Sequence, residues 1–208
     1  MLLSTIMMTV PERLESCRLS LESARQAGFD PTVVLDINRE GPYPTFARSL
    51  RAALDANTEF VAVLQDDIVL SLNVVEYMAR SLNHDSFGVW SLFASSRVMA
   101  DYERSFPATV NGGSGWFRCR VPYRADGAQA YVFATRTARL FLQNLPHPEK
   151  KIMVDHWVGM FCLKFDVPYW CHAPSLCQHR LPESSTLDDA GVEWCRVASS
   201  CVHDARSL

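Results

Sequence analysis

The stretch from Glu59 to Leu70, EFVAVLQDDIVL, constrains this chain more than any other. Phe60-Val61-Ala62-Val63-Leu64 is an unbroken apolar run with the length and β-branched content of a strand buried on both faces, the kind found inside a mostly parallel sheet. It ends abruptly on two adjacent carboxylates, Asp66 and Asp67. In open α/β sheets ligands gather at the carboxyl ends of strands, and paired acids there can hold a hard divalent cation against phosphate oxygens. Locally, a loop whose acids are merely solvated is an equal alternative.

The flanking segments extend the pattern. Leu3 to Val10 reads as a first strand, and Pro11-Glu12-Arg13 turns into a helix with Leu14, Cys17, Leu21 and Ala24 at helical spacing and Gly28 as its stop. Thr32 to Asp36 reads as a second strand, completing a β-α-β unit of the length a right-handed crossover needs. Gly41-Pro42-Tyr43-Pro44 reads as a turn before a helix over Thr45 to Ala56, with Phe46, Leu50, Ala53 and Leu54 turned inward. The EFVAVLQDD strand follows, then a helix over Val74 to Leu82 and a strand over Phe87 to Phe93. Alternation of this kind predicts a single layered α/β domain of Rossmann-like type, a mostly parallel sheet with helices on both faces. At 208 residues the chain suits one such domain, with 181–208 as a polar tail.

No GxGxxG or Walker loop follows the first strand, so a nucleotide here is not held in the dinucleotide-enzyme or P-loop manner. Thr9 and Arg13 offer instead a hydroxyl and a guanidinium, and Asp36 stands at the next strand's carboxyl end; a helix-start turn or a cap explains each equally well. Further on, Asn111 to Phe117 (NGGSGWF) combines flexible backbone with two aromatics, suited either to closing over a sugar ring or base, or to a β-turn with Trp116 in the core. Ala128 to Ala134 reads as a strand and Thr135 to Leu145 as a helix. Lys151 to Phe165 reads as a turn into an amphipathic helix with Asp155 in its first turn, as a cap or as a general base. Val167 to Cys171 reads as a short strand, and His179 beyond it as a ligand or as an ordinary surface or core histidine.

Composition removes several classes. Hydrophobic residues at 48% and charged residues at 21% suit a globular chain, and no apolar run approaches the roughly 18 residues a membrane span needs. MLLSTIMMTV lacks a basic start and a small-residue cleavage site, which favours a buried first strand over a signal peptide and argues for the cytoplasm. Seven cysteines without CxxC spacing do not form a disulfide framework, and most should be reduced and buried. The Cys and His residues from Cys162 to His203 raise a structural zinc, but their spacings match no knuckle. A net charge of -3 gives no global attraction to nucleic acid.

Several segments together resemble the GT-A class of nucleotide-sugar glycosyltransferases, closest to the lipopolysaccharide-type glycosyltransferase family. TVPERLESCRLSLESARQAG is similar to that fold's first strand, Arg-bearing turn and helix, and TFARSLRAAL to the helix that often reads ARN. VLQDDIVL is similar to the strand ending in a DxD or EDD metal motif, and GAQAYVFATRTARLFL to a GTxAYxISxxGAxxLL segment. VDHW resembles the position of the acidic base, and PSLCQH the segment whose histidine completes the metal shell. The likeness runs from about Thr5 to about His179, with its motifs in the family's order.

The resemblance implies an enzyme: an inverting, metal-dependent glycosyltransferase using a nucleotide-sugar donor, UDP-sugar first among them, with Mn²⁺ or Mg²⁺. Asp67 and His179 would hold the cation, and Asp66 would lie near the ribose or the cation. Gln65 stands where many relatives have an acid, which lowers the charge of the site. Thr9, Pro11, Arg13, Asp36 and Arg48 would line the nucleotide, Trp116 and Gln129 would border the donor sugar and acceptor, and Asp155 would be the catalytic base. The acceptor would be a glycan, a protein or, in a phage setting, a hydroxylated DNA base. A DNA acceptor would need Arg97, Arg104, Arg118, Arg120 and Arg124 on the acceptor face. The rivals are a nucleotidyltransferase, which would need further carboxylates near Asp67, and a catalytically degenerate sugar-nucleotide-binding module.

Overall fold

The computed structural model describes residues 1–54, 58–82, 87–95, 98, 115–122, 127–145 and 153–180. Its centre is a seven-stranded sheet in the order β2-β1-β3-β7-β5-β8-β6. The strands are β1 (Leu3–Thr9), β2 (Pro31–Leu35), β3 (Phe60–Gln65), β5 (Val89–Ser91), β6 (Gly115–Arg118), β7 (Ala130–Ala134) and β8 (Tyr169–Ala173). A separate antiparallel pair joins β4 (Ile68–Leu70) to β9 (Cys177–His179). Helices α1 (Leu14–Gln26), α2 (Pro42–Leu54), α3 (Val74–Ser81), α4 (Thr135–Gln143) and α5 (Val154–Lys164) cover the sheet.

The apolar run after Glu59 forms β3 as its composition requires. Phe60 to Leu64 are at most 1% exposed, because alternate side chains enter two different cores. Val61 and Val63 pack with Phe46, Leu50, Phe133 and Phe141 on one face, and Phe60, Ala62 and Leu64 pack with Cys17, Ala24, Val74 and Met78 on the other. The sheet is therefore sandwiched, with α2, α4 and α5 contributing to the first core and α1 and α3 to the second.

Five of the seven strands share one direction. β1 pairs in parallel with β2 and β3, and β5 with β8. β7 is inserted antiparallel between β3 and β5, and β6 closes the far edge antiparallel to β8. Three strands read differently in the sequence. The three-residue strands β4 and β9 are too short for a periodic signal, and β6 forms where the sequence reads as a closing loop or a β-turn.

Two helix readings change as well. The Gly41-Pro42-Tyr43-Pro44 turn is absorbed into α2, which begins at Pro42, since proline's missing N–H costs nothing in a first helical turn. On α1 the inward face is Ser16, Cys17, Ser20 and Ala24, while Leu14 is 54% exposed. The serines displace the leucine because their hydroxyls are needed at the end of β3. Gly28 ends α1 region as read, with φ of +92°, a conformation that disfavours any side chain. Among the described residues no helix is long and apolar enough to cross a membrane.

Candidate functional site

Parallel alignment of β1, β2 and β3 brings Thr9, Asp36 and the Gln65-Asp66-Asp67 segment to one end of the sheet. The Asp36 N–H donates to the Thr9 carbonyl at 2.8 Å, which continues the β1–β2 ladder to that end. A cleft of about 200 Å³ opens there, lined among others by Thr9, Arg13, Asp36, Gln65, Asp66 and Asp67. Pro11 begins the short 3₁₀ turn Pro11–Arg13, whose fixed φ and absent N–H suit a helix start, and this turn sets Arg13 over the acids.

The two carboxylates are buried and held differently. Asp66 Oδ2 accepts the Thr9 hydroxyl at 2.6 Å, and Asp66 Oδ1 lies 3.2 Å from Arg13 Nη2. The same Arg13 nitrogen is 3.0 Å from Asp67 Oδ2, which also faces His179 Nδ1 at 3.5 Å. Burial pushes the Asp66 carboxyl up, Thr9 and Arg13 oppose it, and the neighbouring Asp67 charge adds to it, with a net rise. Burial pushes Asp67 up too, but His179 and Arg13 overcome it and hold that carboxyl below its ordinary value.

A network from distant parts of the chain fixes the turn that carries these acids. Ser16 and Ser20 hydroxyls each donate to the Asp66 carbonyl at 2.8 Å, and the Ile68 N–H donates to Ser20 Oγ at 3.0 Å. Arg180 donates its backbone N–H to the Asp67 carbonyl at 2.6 Å, and its guanidinium reaches the Ser16 carbonyl at 3.0 Å and the Ile68 carbonyl at 3.1 Å. The β4–β9 ladder pairs Ile68 directly with His179, so the histidine's approach to Asp67 is a matter of strand register. Sequence reasoning missed Ser16, Ser20 and Arg180. The serines repeat at helical spacing on α1, which was the available signal.

Gln129 touches the cluster, and Asp155 is tied to the chain just before Gln129. Gln129 is 5% exposed, and its side-chain amide contacts His179 Nε2. Two residues earlier, the Gly127 N–H donates to Asp155 Oδ2 at 2.8 Å, and Asp155 Oδ1 accepts the His156 N–H at 2.7 Å. Gly127 has φ of +109°, and a Cβ there would stand 2.2 Å from Gln129 Oε1. Asp155 is thus joined to His179 through Gly127 and Gln129, while Met153 occupies the cap position of α5.

Other candidates lie elsewhere or turn inward. Asp36 accepts the Glu40 and Gly41 N–H groups at 3.0 and 2.9 Å, with Arg48 3.8 Å away, so its carboxylate ties down the start of α2 at the cleft wall. Arg48 pairs with Glu40 and is not among the residues lining the cleft. Trp116 does not border this cleft. Its ring stacks on Tyr77, and its Nε1–H donates to Ser81 at 3.0 Å, because pairing of β6 with β8 turns residue 116 onto α3. Arg118 and Arg120 line a second cleft at the β8–β6 edge, while Arg97, Arg104, Arg124 and residues 111–114 lie outside the described residues.

As the composition implied, Cys17, Cys162, Cys171 and Cys177 are buried free thiols and Cys119 is half-buried. His172 is held through one ring nitrogen by Tyr77 and through the other by the Pro174 carbonyl, each at 2.7 Å. No group of three or more His, Cys, Asp or Glu residues is placed to hold a metal among the described residues; Cys195, Cys201 and His203 lie outside them.

Neither a protein-family model nor a curated protein matches the chain. Among solved structures it is similar to CMP:2-keto-3-deoxy-manno-octonic acid synthetase complexed with CTP, at 13% identity and a TM-score of 0.51, with 100% of both chains covered. It also matches inositol-1-phosphate CTP transferase from T. maritima at 10% identity and a TM-score of 0.42, over 95% of this chain and 77% of that one. A third match is A197 from STIV, at 11% identity and a TM-score of 0.42, over 82% of this chain and 81% of that one. The likeness to the synthetase shows a shared fold, a Rossmann-like α/β layer structure that, in that protein, is found with a nucleotide bound.

Proposed function

We propose that this protein is a metal-dependent glycosyltransferase that moves a sugar, with inversion, from a nucleoside-diphosphate donor to an acceptor hydroxyl. One observation carries the reading: strand register sets His179 against Asp67 at the carboxyl end of β3, beside a cleft that Thr9, Arg13 and Asp36 line. The residues fit a hard cation. Asp67 Oδ1 is buried with no hydrogen-bond partner among the described residues, and a carboxylate with an imidazole suits Mn²⁺ or Mg²⁺. Asp67 and His179 would hold the ion, leaving the remaining positions to diphosphate oxygens and water. A cation bound there neutralises the charge that develops on the departing diphosphate.

The chain's own groups do the rest. Arg13, which bridges both acids, adds a guanidinium to the floor of the cleft where phosphate oxygens would sit. Asp155 is half-buried and anchored through the Gly127 N–H, so it can accept a proton from an acceptor hydroxyl while its orientation is kept. Attack by that hydroxyl on the face opposite the diphosphate inverts the anomeric centre. A UDP-sugar is the first donor to test. In a screen of nucleotide sugars, transfer or slow hydrolysis should release a nucleoside diphosphate, stop with EDTA and return with Mn²⁺; turnover indifferent to EDTA would overturn the metal assignment.

The fold shared with the synthetase favours a second reading, nucleotidyl transfer from a nucleoside triphosphate. Its product would be pyrophosphate, and the same assay separates the two. A DNA acceptor draws less support, since the described arginines Arg118 and Arg120 lie at the other cleft. DNA binding that weakens steeply with salt would restore it. Donor binding without turnover on any acceptor would mark a degenerate module.

A further inference from the structure

Arg13 lies on the oxygens that a cation at this site needs. Its Nη2 stands 3.0 Å from Asp67 Oδ2 and 3.2 Å from Asp66 Oδ1, so one guanidinium nitrogen answers both carboxylates. Asp67 Oδ2 is also the oxygen that faces His179 Nδ1 at 3.5 Å, where the proposed ion would sit. Mg²⁺ stands about 2.1 Å from an oxygen ligand, which puts an ion on Asp67 Oδ2 no more than about 5 Å from that arginine nitrogen. Two cations so close, beside carboxylates that are themselves buried, repel with little screening. The guanidinium and the ion therefore compete for Asp67.

The arginine also has another anion within reach of its side chain. Its backbone is fixed, since the Arg13 N–H donates to the Val10 carbonyl at 3.0 Å, but the side chain is 18% exposed and lines the cleft with Thr9 and Asp36. Rotation of the side chain alone can carry its head from the acids to diphosphate oxygens in that cleft, which a guanidinium can meet with two parallel N–H donors. Each acid keeps a neighbour meanwhile: the Thr9 hydroxyl donates to Asp66 at 2.6 Å, and His179 stands beside Asp67. Arg13 has further contacts, which leave these distances as they are.

We infer that Arg13 couples the metal to the nucleotide: on Asp66 and Asp67 it opposes the cation, and a diphosphate that draws it into the cleft removes that opposition. Each ligand then strengthens the other beyond what direct contact between them supplies. The inference rests on the metal-dependent reading of the Asp67–His179 pair. By linkage the effect is reciprocal, and couplings of this kind typically span about 5- to 150-fold.

The test is Mn²⁺ affinity of the full chain by electron paramagnetic resonance titration, with and without UDP. Without UDP, Arg13→Gln should bind Mn²⁺ about 10-fold more tightly than the unaltered protein, and Arg13→Lys, which keeps the charge, no more tightly. UDP should tighten Mn²⁺ binding by the unaltered protein about 10-fold more than it tightens binding by Arg13→Gln. Arg13→Gln binding Mn²⁺ equally or more weakly without UDP would overturn this inference, while Mn²⁺ binding by the unaltered protein with UDP would leave the metal reading standing. If neither chain binds Mn²⁺ with or without UDP, both fall. An Arg13→Gln chain that does not fold leaves a second measurement, the ¹⁵N spectrum of the Arg13 guanidinium in the unaltered protein. Saturating Mg²⁺ and UDP should release that group from the acids and shift its Nη signals, and signals left unmoved would overturn the coupling.

Discussion

Two clefts among the described residues lie at opposite ends of the parallel strands, and the larger of the pair holds the less concentrated chemistry. At the amino end of β8, beside the edge strand β6, a cleft of about 660 Å³ is lined by Trp170, Trp116, Arg118, Arg120 and Asp166 among others. Its Arg118–Asp166 pair, at 3.3 Å, is solvent-exposed on both sides, where an ion pair contributes little. At the carboxyl ends of β1 and β3 the cleft is about 200 Å³, yet Asp66 and Asp67 are buried in its lining with Arg13 between them, and the buried His179 faces Asp67. Keeping like charges side by side out of water is costly unless each is paired. Burial raises the Asp66 carboxyl in spite of Thr9 and Arg13, so the pairing offsets only part of that cost there. Desolvated charge at a strand end, rather than cavity size, marks the candidate site.

Substitutions at the two ends put this contrast at risk. The largest effect belongs to Asp67→Ala, which should lower transfer by about 10³-fold, the equivalent of some 4 kcal/mol of lost charge stabilisation, and abolish Mn²⁺ binding. Near-normal turnover would remove the acids from the chemistry. Asp155→Asn comes next, with kcat down at least ~100-fold and thermal stability little changed; a variant that only melts earlier would make Asp155 a tether for Gly127.

Gly127→Ala should destabilise by about 2 kcal/mol in a denaturant titration, because a side chain is strained at that positive φ and collides with Gln129. Asp36→Asn should cost about 1–2 kcal/mol near neutral pH. Burial raises the Asp36 carboxyl, but the Glu40 and Gly41 N–H groups, with Thr45 and Arg48, hold it below its ordinary value of 3.8. A depressed carboxyl stabilises the fold fully above that value and loses its contribution as pH falls below it, so the gap between variant and parent should close in acid melts. A gap that is constant with pH would mean the carboxylate's charge does nothing for α2. At the far cleft, Arg118→Ala should move stability by less than about 0.5 kcal/mol and leave transfer unchanged. A large loss there would erase the distinction between the two ends.

Legibility from the sequence followed the range of the interaction. β3 was plain in the run Phe60 to Leu64, since a strand buried on both faces needs apolar residues at every position. The helix α2, with Phe46, Leu50 and Ala53 inward, was equally plain from its period. β4 and β9 were not, because three residues carry no period and their pairing is a contact between distant segments. The glycines before Trp116 left it open between a loop closing over the donor and a turn with its ring against the core, and strand pairing with β8 decides for the latter by directing the ring to Tyr77. Leu14 read as core because it is apolar, and hydrogen bonding by Ser16 and Ser20 to the Asp66 turn gave the inward face to smaller, polar residues.

The amino-acid sequence by itself determined the alternation of strands and helices, the buried central strand and the two acids at its end, all of which are encoded in residues near one another along the chain. The tertiary structure alone decided that β7 enters the sheet antiparallel, that Ile68 pairs with His179, and that Arg13 settles on both acids. Those outcomes depend on strand register and on the cost of leaving a buried charge unpaired, and both are properties of segments brought together only by folding.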